Sequence, residues 1–246
     1  NDFKYFKVVN AASPTMWGSD GDNTIRSTVN PLNGGTAWSG QTTIDAPSNV
    51  ITKLDTDSGS LYITKEDIPY YLDSTGAVKN DMAPILATLP RSTDNGKSSN
   101  FWVGNWYLPW GYSLLEEDAG TLTWRSPNDF STQLADFAGQ VFAVAGDDHY
   151  LFVIVDNGTK IEVLACRSES IDGTTRWVIH PISEITLTGC ESCWVTSVVK
   201  KQLFISSTSS SDSLYSIPLP LAYGNVLADA NRAFLTGTTF ETSWLH

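Results

Sequence analysis

Cys190-Glu-Ser-Cys193 has the spacing of a zinc knuckle or a redox dithiol. A structural zinc needs roughly four ligands, and His149, His180 and His246 stand at no complementary spacing. A thioredoxin-like pair calls for a helix after the motif, whereas Trp194-Val195-Thr196 reads on as a strand. With Cys166 the chain holds 3 cysteines, so at least one thiol is unpaired within it. Thiols seated in or beside strands are the favoured reading. A disulfide from Cys166 to one of the pair is the alternative.

Carboxylates come next. Glycoside hydrolysis uses two of them about 5 to 10 Å apart across a sugar. Glu116-Glu117-Asp118 and Asp147-Asp148 are acidic clusters, but neighbours in sequence are not thereby a facing pair. A sialidase adds several arginines converging on a substrate carboxylate. Arg26, Arg91, Arg125, Arg167, Arg176 and Arg232 are scattered along the chain. Ser92-Thr93-Asp94-Asn95-Gly96 and Ser170-Ile171-Asp172-Gly173 are near misses to the Asp-boxes of sialidase propellers, and in either an aspartate would serve to fix a turn. No phosphate-binding loop, dinucleotide fingerprint or nucleophile elbow occurs. No cofactor is expected. Calcium is the candidate metal, at Ser19-Asp20-Gly21-Asp22-Asn23 or Asp55-Thr56-Asp57-Ser58-Gly59, though neither loop has the distal glutamate of an EF-hand.

Trp102, Trp106, Tyr107 and Trp110 form the densest aromatic group. Strand alternation puts Trp106, Leu108 and Trp110 on one face and Tyr107 and Pro109 on the other. Such side chains either pack sheet against sheet or present a platform to a sugar or a partner protein. Trp106, Tyr107 and Trp110 are the candidate ligand or partner surface on the second reading. Asn157-Gly158-Thr159 fits a glycosylation sequon and also an ordinary hairpin turn.

The elements that would position these residues are strands. The chain has 246 residues, 41% hydrophobic and 17% charged, with 9 Trp, 9 Tyr and 10 Phe. That composition excludes a disordered tail and suits half-buried pleated surfaces. A formal charge of −12 disfavours nucleic acid, and no apolar run is long enough to span a membrane. Lys4–Val9, Ser60–Thr64, Asn105–Trp110, Val141–Ala145, Tyr150–Val155, Lys160–Ala165 and Gln202–Ser206 read as strands, broken by Asn33-Gly34-Gly35, Asp94-Asn95-Gly96, Asn157-Gly158 and Asp172-Gly173.

Innermost strands placed near Phe6, Ile51, Phe101, Phe142 and Val195 recur at roughly 40 to 53 residues, the length of a propeller blade. The clearest unit runs from Val141 to Ile179 as a four-stranded meander. These features predict an all-β chain, a β-propeller of four-stranded antiparallel blades, about five of them, complete or an arc of a larger ring. A tandem β-sandwich is the alternative. The chain is read as one domain over 1–246, and as a portion of a longer polypeptide, since it starts Asn-Asp-Phe and stops within a strand-like pattern.

Leu61-Tyr62-Ile63-Thr64-Lys65-Glu66-Asp67 followed by Tyr71-Leu72-Asp73-Ser74-Thr75-Gly76 resembles propeller-like proteins of tailed bacteriophages and their metagenomic relatives. Asp94-Asn95-Gly96-Lys97 with Trp102-Val103-Gly104-Asn105-Trp106-Tyr107-Leu108-Pro109 continues the likeness, and the ending Phe240–His246 is similar to the strand that leaves such propellers. Ile68-Pro69 and Trp110 depart from the pattern. The resemblance implies a virion-associated tail or surface protein without catalysis, located on the virion or extracellularly. Its implied partners are other virion or tail proteins or further copies of itself. A carbohydrate-binding adhesin that grips a host-surface glycan is the runner-up, and a glycoside hydrolase or sialidase the third reading.

Overall fold

The computed structural model describes residues 3–10, 13–32, 38–45, 49–73, 75–80, 91–125, 139–186, 188–196, 201–208 and 213–220. They form five antiparallel sheets that follow one another along the chain, each a meander of adjacent strands. Sheet 1 holds β1 (Tyr5–Val9), β2 (Thr15–Ser19), β3 (Thr24–Thr28) and β4 (Thr42–Thr43). Sheet 2 holds β5 (Ile51–Asp57), β6 (Ser60–Lys65), β7 (Pro69–Leu72) and β8 (Val78–Lys79). Sheet 3 holds β9 (Asn100–Trp102), β10 (Asn105–Trp110), β11 (Ser113–Asp118) and β12 (Thr121–Trp124). Sheet 4 holds β13 (Gln140–Gly146), β14 (Leu151–Asp156), β15 (Ile161–Ile171) and β16 (Thr174–Ile185). Sheet 5 holds β17 (Cys190–Thr196), β18 (Gln202–Ser207) and β19 (Ser213–Pro218). The expected turn Asn33-Gly34-Gly35 and the ending Phe240–His246 lie outside the described residues.

Side-chain alternation explains how the sheets stack. Along β14, Leu151, Val153 and Val155 face sheet 3, while Phe152 and Ile154 face sheet 5. Every residue of that strand is buried, so its run of apolar residues is what a sheet covered on both faces requires. Apolar cores lie between sheets 1 and 2, around Val9, Ile25, Ile51 and Ile63, and between sheets 2 and 3, around Trp106, Leu108 and Trp110 with Tyr62 and Tyr71. Others lie between sheets 3 and 4, around Tyr107, Leu114 and Val144, and between sheets 4 and 5, around Ala143, Val163, Cys190, Leu203 and Ile205. A sandwich pairs two sheets and leaves the outer face of each to water. Here sheets 3 and 4 are each covered on both faces by different neighbours, so the sandwich alternative falls.

Innermost strands β5, β13 and β17 each carry a register shift, between Ile51 and Lys53, Val141 and Ala143, and Cys190 and Ser192. Such bulges bend a strand and re-aim its side chains. In β17 the extra residue puts Cys190 and Cys193, which strict alternation would separate, against the same core.

Among the described residues, four hairpins close on two residues of positive φ: Ser58-Gly59, Val103-Gly104, Ala119-Gly120 and Asp172-Gly173. This geometry matches the right-handed twist of the strands it joins. Asp172-Gly173 is the turn its residue types announce, and β15 and β16, which run straight into it, are the longest strands described. Val103 is the misfit, a β-branched residue held at φ 52° with 76% of its surface exposed. Left-handed backbone costs a residue of this kind roughly 1–2 kcal/mol, which Asn largely avoids. Val103→Asn is therefore expected to stabilise the protein by about 1 kcal/mol, checked by chemical denaturation. A loss of stability would show that the Val103 side chain makes packing its exposure does not suggest.

Candidate functional site

The bulged inner strands meet around a cavity of about 340 Å³. Lys53 of β5, Ser99 and Asn100 of sheet 3, Gly146 of β13, and Cys193 and Trp194 of β17 are among its walls. Because sheets 2, 3, 4 and 5 each contribute an inner edge, the cavity marks the axis about which they are arranged.

The ionic centre of this region is Asp55, two residues after Lys53 and so on the same side of β5. Its Oδ2 accepts from the Ser99 hydroxyl at 2.6 Å and from the Trp106 indole at 3.3 Å. Lys53 Nζ lies 3.1 Å from Oδ2 and Lys7 Nζ 3.4 Å from Oδ1. Lys53 also donates to the Ser99 carbonyl. One carboxylate thus ties sheets 1, 2 and 3 together. Burial pushes the Lys53 amine below its ordinary value, and Asp55 only partly offsets that. Across the axis, Lys97 Nζ stands 3.6 Å from Glu191 Oε1, and the Ser98 hydroxyl donates to the Glu191 carbonyl at 3.1 Å.

The acidic clusters are taken up separately. Glu116 accepts from Asn105 at 2.5 Å, from the Tyr107 hydroxyl at 2.8 Å, and from Arg125. Burial raises its carboxyl, yet the bonds from Arg125, Tyr107 and Asn105 outweigh it and hold the group below its ordinary value of 4.5. A carboxyl depressed on folding contributes stability above its unfolded pKa and loses it as pH falls through the folded one. Glu116→Gln is accordingly expected to cost most near neutrality and progressively less in acid, below about pH 4.5. Urea titrations of both proteins across pH check this. A cost independent of pH would mean that Glu116 matters by shape rather than by charge.

Glu117 caps its own hairpin by accepting from Gly120 N at 2.6 Å. Asp147 Oδ1 accepts from the backbone of His149 and Tyr150, both at 2.7 Å. Carboxylate and imidazole atoms of Asp147, Asp148 and His149 come within 4.8 Å of one another, but Lys201 already bridges Asp147, at 2.9 Å, and Asp148. An ammonium ion from sheet 5 holds the place that a cation would take.

In the two expected calcium loops the carboxylates have local uses. Asp22 Oδ1 accepts from Thr24 N at 2.6 Å and from its hydroxyl at 2.7 Å, locking a turn. Asp55 lies in a strand with its oxygens engaged as above, and Asp57 accepts from the Ser58 hydroxyl at 2.7 Å beside the hairpin. Among the described arginines, Arg125 pairs with Glu116, Arg167 with Glu169, and Arg91 with Asn49. They do not converge, and Arg232 lies outside the described residues.

Trp106, Tyr107 and Trp110 are corrected from a candidate surface to core, at 0%, 3% and 2% exposure. The faces assigned by alternation are right, with Trp106 and Trp110 toward sheet 2 and Tyr107 toward sheet 4. A platform needs one face open, and the stacking of sheets leaves β10 none. Trp194, 41% exposed and stacked on Phe204 at 5.5 Å, is the tryptophan that does reach the cavity wall.

All three cysteines are free thiols. Cys166 points from β15 toward sheet 3, while Cys190 and Cys193 pack on the opposite face of sheet 4, so the expected alternative of a disulfide to Cys166 is barred by a whole sheet. Burial pushes the Cys190 thiol up to about 12 and raises Cys166 and Cys193 as well. None has the depressed pKa of a reactive thiol.

Lys53, Asp55 and Lys97 were not singled out as a group by sequence reasoning. The available signal was an acid and a base at alternate positions of Ile51-Thr52-Lys53-Leu54-Asp55, a strand otherwise read as innermost and apolar.

No family model matches the chain, and no curated protein matches it. Among solved structures, a chain from the crystal structure of a nidogen/laminin complex is similar over 83% of this chain and 72% of its own length, with 14% identity and a TM-score of 0.50. The extracellular domains 1-2 of Drosophila semaphorin 1b align over 87% of this chain at 8% identity and a TM-score of 0.47, and this chain spans 52% of that one. The fold is a β-propeller. Among the described residues its blades are sheets 1 to 5, and the cavity lined by Lys53 lies where the inner strands of sheets 2 to 5 come together.

Proposed function

We propose that this propeller is a non-enzymatic interaction module of a phage particle, mounted on the tail or surface and engaging other particle proteins or further copies of itself. The observation that carries the reading is how the polar groups are used. Asp22 closes a turn, Glu116 ties together the strands of its own blade, and Asp55 and Asp147 clamp one blade to the next, so these carboxylates serve the fold, where glycoside hydrolysis would need a facing pair kept for the sugar. Segments resembling the phage proteins fall on β6, β7, β9 and β10 with their turns. The chain of similar fold comes from a nidogen/laminin complex, which accords with a fold used for binding proteins.

The adhesin reading rested on exposed Trp106 and Trp110 and loses its platform with their burial. Among the described residues no helix is long and apolar enough to cross a membrane. Antibody detection of the protein in gradient-purified particles is expected to place it there, while a fluorogenic glycoside panel stays silent. Turnover of any such substrate, lost in a single carboxylate variant, would overturn the proposal.

A further inference from the structure

We propose that the axial cavity is a binding site for a carboxylate, taken between Lys53 and Lys97. The charges near it are unequal: Lys7, Lys53 and Lys97 face Asp55 and Glu191, an excess of one positive charge in a protein whose formal charge is −12. Asp55 is divided between two ammonium groups. A partly buried cation that shares its counter-ion is costly to hold, and burial lowers the Lys53 pKa with only partial relief from Asp55. A singly charged anion would balance the excess. A phosphate dianion would add more negative charge than the excess calls for, beside Asp55 and Glu191.

The donors also suit a carboxylate. Lys53 has three N–H bonds, of which the Ser99 carbonyl and Asp55 engage two. The Ser99 hydroxyl is given to Asp55 and that of Ser98 to the Glu191 carbonyl, so recognition falls to Lys53, Lys97 and the Asn100 amide. Trp194, Cys193 and Val144 supply an apolar wall against which the carbon end of a small acid can rest. A volume of about 340 Å³ accommodates a short monocarboxylic acid, or one acidic side chain of a docked protein. This site is independent of the phage assignment, since it rests on the cavity and its charges alone.

The test uses the whole chain, isotope-labelled, titrated with acetate, with propionate and with a short glutamate-containing peptide while backbone amide shifts are followed. Saturable shifts at Ser99, Gly146 and Ser192 are expected. Lys53→Met should weaken them about tenfold or more, the worth of one charge-assisted hydrogen bond, and Lys160→Met, remote from the axis, should not. Tighter binding of the free acids identifies a small metabolite as the source, and tighter binding of the peptide identifies a partner's side chain. Should Lys53→Met fail to fold, reductive methylation of the unaltered protein gives the answer: acetate is expected to protect Lys53 and not Lys160. Equal shifts with chloride at matched ionic strength, shifts that survive in a folded Lys53→Met, or absence of protection would each overturn the site.

Discussion

Trp106→Ala is expected to cost about 3–5 kcal/mol, a large loss for a single change in the core. Trp106 is fully buried and, with Trp110, is among the bulkiest buried side chains of the described residues. Its ring stacks on Phe101 with centroids 5.7 Å apart and planes within 6°, and meets Tyr62 edge-on at 5.1 Å. Truncation empties the core between blades 2 and 3 and leaves Asp55 without its indole donor. For a chain of this size that loss corresponds to a melting temperature lower by roughly 10–15 °C, read by calorimetry. Trp194→Ala, at an exposed position, should shift it by less than about 2 °C. The adhesin reading requires the reverse, a Trp106 that can be removed at little cost to stability. Near-equal effects of the two substitutions would contradict the burial of Trp106.

The contrast between the two tryptophans also shows what the sequence disclosed and what it withheld. The innermost strands placed near Phe6, Ile51, Phe101, Phe142 and Val195 all fall in innermost strands of the structure, because blade length and turn chemistry are local properties that a periodic reading can find. The faces of Trp106 and Tyr107 were legible too, since alternation is dictated by the pleat. Whether a face is covered was not legible. It depends on a neighbouring blade that begins tens of residues away in the chain, and an aromatic strand reads alike under either outcome. Two-residue hairpins at Ser58-Gly59, Val103-Gly104 and Ala119-Gly120 passed unnoticed because their first residues are not the Asn or Asp that announce such turns. The axial group escaped for a related reason. Asp55-Thr56-Asp57-Ser58-Gly59 has a calcium loop's composition, and nothing local shows that its first aspartate faces two lysines, one of them from the previous blade.

Asp55→Ala is the sharper test of that arrangement, with an expected cost of about 3–5 kcal/mol. The favourable energy of the Asp55 contacts is the lesser part of it. Removing the carboxylate leaves Lys53 beside Lys7 with no counter-charge, and strips the Ser99 hydroxyl and Trp106 indole of their acceptor. Restoring shape without charge should recover little: Asp55→Asn keeps an acceptor for Ser99 but leaves the lysines repelling one another. Adding Lys53→Met to Asp55→Ala should instead return about 1–3 kcal/mol, because the stranded ammonium goes with its partner and an apolar stem fills the space. The unaltered protein, the two single variants and the double variant form a double-mutant cycle, measured by denaturant unfolding. Strictly additive losses would mean that Lys53 and Asp55 are not coupled, and the axial charge imbalance would then have no energetic meaning. A rescue shows that Lys53 draws its counter-charge from Asp55, the carboxylate it shares with Lys7, and that sharing is what leaves room for a further anion beside it.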